Sequence, residues 1–250
     1  MIQYPISVFS PTHFLFLLTA CTAAGICAYF LAKKYSFNKK VIWVCAIIGL
    51  ACEAERLLFF VKELPGGGYR LPANLIPLNT CPFMLVLIFI LALSEFPQKR
   101  RKLLSFMYPM MVAGAFMGML LAGEALSSHG LLELATYRYF FYHGMVICLG
   151  LYLYLSKPFQ YNIKDYGMAL FLSFSYLIAG IWVNGFFGWD PEVNHMFVVR
   201  PPVEGLPILN FNYGWTGYIL AIMTLGMFLV TVCYLPVIIN AVKRKAQKEK

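Results

Sequence analysis

The tetrapeptide Asn79-Thr80-Cys81-Pro82 closes a loop rich in proline and glycine and opens an apolar segment that runs to Ser94. A membrane-spanning helix needs about 20 residues, and one that began at Pro82 would have only about 13. We therefore expect this helix to begin earlier, near residue 75, with an irregular first turn around the proline. A thiol at the start of a helix lies at the positive end of the helix dipole, which favours the nucleophilic thiolate.

The composition around this segment is that of a membrane protein. Hydrophobic residues make up 60% of the 250 residues, charged residues only 12%, and the mean hydropathy is +0.70. A soluble domain carries about 25% charged residues. Recurrent apolar stretches predict an all-α integral membrane protein in which residues 1–250 form one seven-helix domain. The predicted spans are residues 12–32, 41–61, 75–94, 103–122, 137–155, 166–187 and 214–240.

The basic residues predict the orientation of these spans. Fifteen of the twenty Lys and Arg residues fall on alternate loops and in the C-terminal tail, within residues 33–40, 99–102, 157–164 and 243–250. The positive-inside rule places these segments in the cytoplasm and the N-terminus outside. The net charge of +9 then reflects topology and contact with anionic lipid, and we expect no nucleic-acid partner.

Seven cysteines are present, and no pair of them has the spacing of a metal site. The predicted outer loops contain none, so disulfides are not expected either. We predict neither a metal nor a cofactor.

The unusual polar residues fall in the outer half of the predicted bundle. Glu53 and Arg56 lie three residues apart in the second span and share a face, which predicts an ion pair; whether that pair is structural or part of a site stays open. Glu55 points to another face. In the fifth span, Tyr139 and His143 share a face, and Arg138 lies beside it. A histidine within a span is a functional candidate by default, and His143 lies near the predicted depth of Cys81.

A long outer loop, residues 190–212, is rich in proline, asparagine and aromatic residues. It is predicted to fold over the mouth of the bundle as a lid. Candidate lid or substrate residues are Asn194, His195, Arg200, Asn212 and, at the start of the last span, Tyr218. Separately, Gly114-x-x-x-Gly118 in the fourth span is a helix-packing motif, which we interpret as architecture.

A cysteine and a histidine at matched depth form the minimal pair for acyl transfer. The imidazole accepts the thiol proton, the thiolate attacks a carbonyl, and nearby donors stabilise the oxyanion. Glu53 and Asn184 are candidates for a third residue that orients the histidine.

Three motifs carry a resemblance to a known family. Ile76-Pro77-Leu78-Asn79-Thr80-Cys81 resembles the Leu-Pro-Leu-His-x-Cys signature of the YwaF / transmembrane protein 164 family of multipass membrane proteins. Arg138 followed by His143-Gly144 looks like its Phe-Arg-x5-His segment, and Asn194-His195-Met196-Phe197, with Pro201 and Tyr218 beyond, is similar to its Asn-Tyr-Met-Phe…Pro…Tyr ending. The match covers roughly residues 71–240. In one departure, Asn79 stands where the family commonly has histidine, and an amide cannot serve as a base.

Eukaryotic members of that family are described as cysteine-dependent acyltransferases that place fatty acyl chains on lysophospholipids, ether lipids among them. The resemblance implies Cys81 as the acyl-carrying nucleophile, His143 as its base and a phospholipid or lysophospholipid as substrate. It also implies a multi-pass protein of the cell membrane, which we expect to be a bacterial plasma membrane. The sequence predicts no oligomeric state.

Two other functions remain open from the residues alone. Seven helices with an outer polar cavity also suit a transporter or receptor that binds its ligand without covalent chemistry. The same Cys–His pair also suits a lipid-ester hydrolase, in which water accepts the acyl group.

Overall fold

The computed structural model describes residues 7–60, 62–63, 68–70, 73–94, 100–122, 130, 133–203 and 205–248. Residues 61, 99 and 249–250, which belong to a predicted span or to the basic segments, lie outside the described residues. The regular structure of the described chain is helical apart from a hairpin of two-residue strands, β1 (Lys62–Glu63) and β2 (Tyr69–Arg70), paired antiparallel. The predicted all-helical class is confirmed.

Seven helices account for most of the described chain. They are α1 (Pro11–Lys34), α2 (Lys39–Phe60), α3 (Thr80–Leu93), α4 (Arg101–Leu120), α5 (Leu134–Leu155), α6 (Ile163–Phe186) and α7 (Gly214–Lys248). Short 3₁₀ turns at Ala73–Leu75 and His195–Phe197 precede α3 and α7. Helix α4 contains a π-helical turn at Met110–Gly114, immediately after Pro109. A proline cannot donate its backbone hydrogen bond, and π turns occur at such interruptions.

Four of these helices, α1, α4, α6 and α7, are long and apolar enough to cross a membrane. The other three differ for reasons visible in the sequence. Helix α2 carries Glu53, Glu55 and Arg56, α5 carries Arg138 among its tyrosines, and α3 has only 14 residues. Large apolar side chains face outward on the bundle, among them Leu18 at 63% and Phe171 at 63% exposed. Contiguous exposed apolar surface of this kind marks a surface that meets lipid.

Two helix boundaries differ from the prediction. Helix α3 begins at Thr80 and not near residue 75, because Asn79 is extended and Pro82 occupies the first turn, where its missing N–H costs nothing. The segment before it is a 3₁₀ turn followed by bends. Helix α7 continues to Lys248, beyond the predicted end at residue 240, because the basic tail is rich in good helix formers.

Helices α4 and α5 form the centre of the bundle. Helix α5 packs against α1, α2 and α4, while α4 also contacts α3, α6 and α7. Their shared core includes Met107, Met111 and Val146, which have no exposed surface.

The end of the bundle that carries the basic residues, here called the basic end, is held by polar contacts between helices. Arg101 donates to both carboxylate oxygens of Asp165 at 2.6 Å, and Asp165 also accepts from Ser105 at 3.2 Å. Tyr152 binds the α1–α2 turn through the carbonyl of Ser36 at 2.9 Å and the N–H of Asn38 at 2.8 Å. The opposite end, here called the site end, holds Cys81 and His143.

Candidate active site

Cys81 is the second residue of α3 and is buried, with 7% of its surface exposed. Asn79 is the N-cap residue, and its carbonyl accepts the N–H of Phe83 at 2.9 Å. The first N–H groups of a helix have no partner within it, and Pro82 has none to offer. The N–H groups of Thr80 and Cys81 therefore have no partner within the helix, and the side chain of Asn79 does not cap them.

Neighbouring helices fix the position of this helix start. Tyr142 of α5 donates to the carbonyl of Cys81 at 2.9 Å, and Tyr176 of α6 donates to the carbonyl of Leu78 at 2.8 Å. The ring of Tyr176 also stacks on Phe83, with centroids 4.8 Å apart. The backbone around the thiol is thus held from two sides by residues of other helices.

His143 is also buried, with 8% of its surface exposed, and its ring is oriented by backbone. Its Nδ1 lies 2.8 Å from the carbonyl of Tyr139, one turn earlier on α5. A carbonyl oxygen only accepts hydrogen bonds, so Nδ1 carries the proton and Nε2 of the neutral ring keeps its lone pair. The histidine is therefore set up to accept a proton at Nε2. The group that orients it is the Tyr139 carbonyl, and neither Glu53 nor Asn184 makes a hydrogen bond to it.

The thiol of Cys81 and the imidazole of His143 both lie near Gly118 of α4. A Cβ atom at this position would lie 3.1 Å from Nε2 of His143 and 3.9 Å from Sγ of Cys81. Both reactive atoms therefore face the same small space beside the glycine. Tyr139 closes it from the other side by donating its hydroxyl to the carbonyl of Gly118 at 2.5 Å.

Both glycines of Gly114-x-x-x-Gly118 allow the close packing that the motif predicts. A Cβ at Gly114 would lie 2.7 Å from Cγ2 of Thr80, so this glycine lets α3 and α4 pack closely. Gly118 lets α4 approach His143 of α5, at the candidate site. The spacing of the motif does not say which helix each glycine faces.

Two ion pairs flank the site on the side of α2. Arg56 pairs with Glu53, as the i, i+3 spacing predicts, and also reaches the carbonyl of Leu75 at 3.5 Å. Arg138 of α5 pairs with Glu55 and donates to the carbonyl of Cys52 at 3.3 Å. The second pair, which joins α2 to α5, was not predicted because it links residues far apart in the sequence.

The segment 190–203, here called the lid segment, lies against the site end. Asn184, which is fully buried at the end of α6, accepts the N–H of His195 at 3.0 Å and donates to its carbonyl at 2.9 Å. The side-chain oxygen of Asn79 accepts the N–H of Met196 at 2.8 Å, and Tyr218 donates to the carbonyl of Phe197. Asn79 thus ties the start of α3 to the lid segment.

A cavity of about 550 Å³ opens from the thiol between the helices and the lid segment. Ten of the predicted site residues line it: Glu53, Arg56, Asn79, Cys81, Arg138, Tyr139, His143, Asn194, Arg200 and Tyr218. Asn184, His195 and Asn212 are not among the described lining residues. Asn184 holds the lid backbone, His195 is buried behind it, and the N–H of Asn212 donates to the side chain of Asn210 at 2.9 Å within the loop.

Comparison with known proteins gives one result. A family model described as the TMEM164 family matches residues 8–234. Neither the curated proteins nor the solved structures give a significant match. The match covers nearly the whole chain and includes α3, α5 and the lid segment, which carry the motifs that resemble this family. The chain therefore belongs to the TMEM164 family.

Proposed function

We propose that this protein is a membrane acyltransferase that moves a fatty acyl chain between phospholipids and lysophospholipids through a thioester on Cys81. One observation carries the proposal: the thiol of Cys81 and the Nε2 atom of His143 face the same space beside Gly118. Acyl transfer through a thioester requires a nucleophile and a base that can exchange a proton, and these two groups approach the same point. The membrane character of the chain puts lipid esters within reach.

In the first step, His143 takes the thiol proton at Nε2 while the thiolate attacks the ester carbonyl of a phospholipid. The bond between the carbonyl carbon and the ester oxygen breaks, and the leaving alkoxide takes the proton from His143, releasing a lysophospholipid. In the second step, the hydroxyl of an acceptor lysophospholipid gives its proton to His143 and attacks the thioester. The thiolate leaves and recovers the proton, so no redox partner or cofactor is consumed.

The start of α3 offers stabilisation for the charge that develops on the carbonyl oxygen. The N–H groups of Thr80 and Cys81 have no partner within the helix and lie at the positive end of the helix dipole. Preorganised backbone donors of this kind are a common oxyanion site. The Tyr142 and Tyr176 hydrogen bonds to the same turn keep these donors in place.

The proposal includes a seven-span topology with the N-terminus outside and the C-terminus in the cytoplasm. Its support is the basic end, where Lys34, Arg101 and Lys164 gather. By the positive-inside rule that end faces the cytoplasm, so the chemistry takes place in the outer half of the bilayer. The host membrane is proposed to be the plasma membrane of a bacterium.

The experiment is intact-mass measurement of the purified protein after incubation with phospholipid vesicles. We expect an acyl adduct that maps to Cys81 and is absent from Cys81→Ala, and a much slower adduct in His143→Ala. Cys45→Ala is the matched control, because Cys45 is equally buried at 8% exposed but lies outside the cavity. An adduct on another residue, or an unchanged rate in His143→Ala, would contradict the mechanism.

The same samples separate the alternatives. A hydrolase would release free fatty acid at the rate at which it consumes phospholipid, whereas a transferase needs an added lysophospholipid to turn over. The buried thiol favours transfer, because low exposure to water slows the hydrolysis of a thioester. A transporter would move its substrate in proteoliposomes with Cys81 replaced.

A further inference from the structure

The cavity at Cys81 has a second part that the chemistry above does not use. Beyond Gly118 it continues between α4, α6 and α7, and the charged residues among its described lining all belong to α2, α5 or the lid segment. This part, here called the apolar arm, is lined by Met110, Met117, Phe174, Ile222, Gly226 and Val230. An uncharged, apolar lining of this kind selects a hydrocarbon ligand.

The length of the cavity along α7 is close to that of one leaflet of a bilayer. The cavity follows α7 from Tyr218 to Val230, which at 1.5 Å per residue is about 18 Å, and the apolar arm, from Ile222 to Val230, is about 12 Å of this length. One leaflet is about half of the ~30 Å hydrocarbon core, or roughly 15 Å. A single acyl chain in extended form therefore fits along the cavity.

The far end of the arm is closed. Val230 is 2% exposed, and just beyond it Tyr108 of α4 donates to the carbonyl of Cys233 of α7 at 2.7 Å. Tyr108 also packs edge-on against Tyr234, which has no exposed surface. A chain that starts at the thiol would end at this aromatic floor.

We propose that the apolar arm holds the acyl chain carried by Cys81 and that Gly226 sets the chain length the arm accepts. This rests on the proposed thioester chemistry. Gly226 shares a helix face with Ile222 and Val230, is itself exposed where it lines the cavity, and a Cβ at its position would meet nothing within 4 Å. A larger side chain there would enter the arm and displace part of the acyl chain without a clash against the protein.

The test is Gly226→Phe, offered vesicles with equal amounts of short-, medium- and long-chain phosphatidylcholine. We expect short acyl chains to be enriched on Cys81. Binding of a longer chain should weaken by about tenfold for every two of its methylene groups that no longer fit. Gly25→Phe is the control: Gly25 of α1 also has nothing within 4 Å of an added Cβ, and it does not line the cavity. An unchanged chain distribution in Gly226→Phe would overturn the proposal and leave the acyltransferase mechanism intact.

A second measurement keeps the two proposals apart. Cys81→Ala, which cannot form a thioester, is irradiated with a fatty acid that carries a photoreactive group at its methyl end, and the labelled peptides are mapped. Label near Met110 or Val230 supports the apolar arm even if the wild type never forms an adduct, in which case only the thioester mechanism fails. Label confined to the lid segment or to the outer surface overturns the arm.

Discussion

Gly118 shows how a single missing side chain can define a reaction site. The sequence predicted Cys81 and His143 at similar depth, and in the structure both side chains reach the space beside this glycine. Their catalytic roles stay predictions. The position of Gly118 could not be predicted, because it depends on the packing of α4 against α5. The carbonyl of Tyr139 lies one turn before His143 on the same helix, where the shared face of the two residues was visible in the sequence.

Gly118→Ala tests the importance of this space. The added methyl group would stand 3.1 Å from Nε2 of His143, so the imidazole must give way slightly. We expect acylation of Cys81 to be roughly severalfold slower, since a displacement near 1 Å at a reacting group costs about a hundredfold and this displacement is smaller. The rate is measured as adduct formation by intact mass.

Fold stability provides the control for this variant. Alanine is the better helix former, so Gly118→Ala should melt at or near the wild-type temperature. Gly25→Ala, with open space around its Cβ, should leave both acylation and melting unchanged. Wild-type acylation in Gly118→Ala would contradict the proposed geometry.

At the scale of elements, the start of α3 and the lid segment behave as one unit. The sequence predicted a lid over the mouth of the bundle, and residues Asn194, Met196 and Arg200 line the cavity there. The sequence also assigned Asn184 and His195 to the site, whereas the structure uses Asn184 to hold the backbone of His195. This difference could not be predicted, because an asparagine at a helix end can bind either a ligand or a neighbouring loop. The sequence does not give the path of the loop.

Asn184→Ala should loosen the lid segment. The substitution leaves the N–H of His195 without its buried partner, at a cost of about 1–3 kcal/mol, and removes one of the two donors to its carbonyl, which still accepts from the N–H of Val198. Hydrogen exchange of peptides covering residues 193–199 should become faster than in the wild type. Asn212→Ala is the control. Equal exchange in the two variants would argue against a role of Asn184 in holding the lid segment.

The lid segment should also respond to acid through His195. Burial lowers the pKa of His195, and neither of its ring nitrogens has a hydrogen-bond partner. An opened lid exposes an ordinary imidazole that takes up a proton near pH 6.5, so the closed state keeps its full stability above that pH and loses it as the pH falls below. Each pH unit below about 6.5 raises the ratio of open to closed lid by at most about tenfold.

Hydrogen exchange of residues 193–199 between pH 7 and pH 5, corrected for intrinsic rates, measures this response. His195→Phe cannot titrate and should flatten the pH dependence. If the wild type and His195→Phe respond to pH alike, another group is responsible.

At the scale of the whole molecule, composition and charge were enough to predict an all-helical membrane protein. Helix boundaries followed the apolar segments within a few residues, except at α3 and at the end of α7. The assembly of the bundle around α4 and α5 could not be predicted, because the apolar patterns do not say which helices are neighbours.

The proposed orientation is open to direct measurement. Ser7→Cys and Gln247→Cys place thiols at exposed positions near the two ends of the described chain. In intact cells a membrane-impermeant maleimide should label Ser7→Cys more strongly than the parent protein. It should label Gln247→Cys no more strongly than the parent protein. Labelling of Gln247→Cys alone would reverse the orientation and move the site to the cytoplasmic leaflet.

The shortness of α3 has a consequence for the lipid around it. Its 14 residues cover about 21 Å, well below the ~30 Å of a hydrocarbon core, and irregular backbone takes up the rest. Such hydrophobic mismatch is relieved when the bilayer thins next to the short helix. In the proposed topology, this local thinning carries the glycerol ester groups of neighbouring phospholipids down to the depth of the thiol, so the substrate does not have to rise out of the membrane to react.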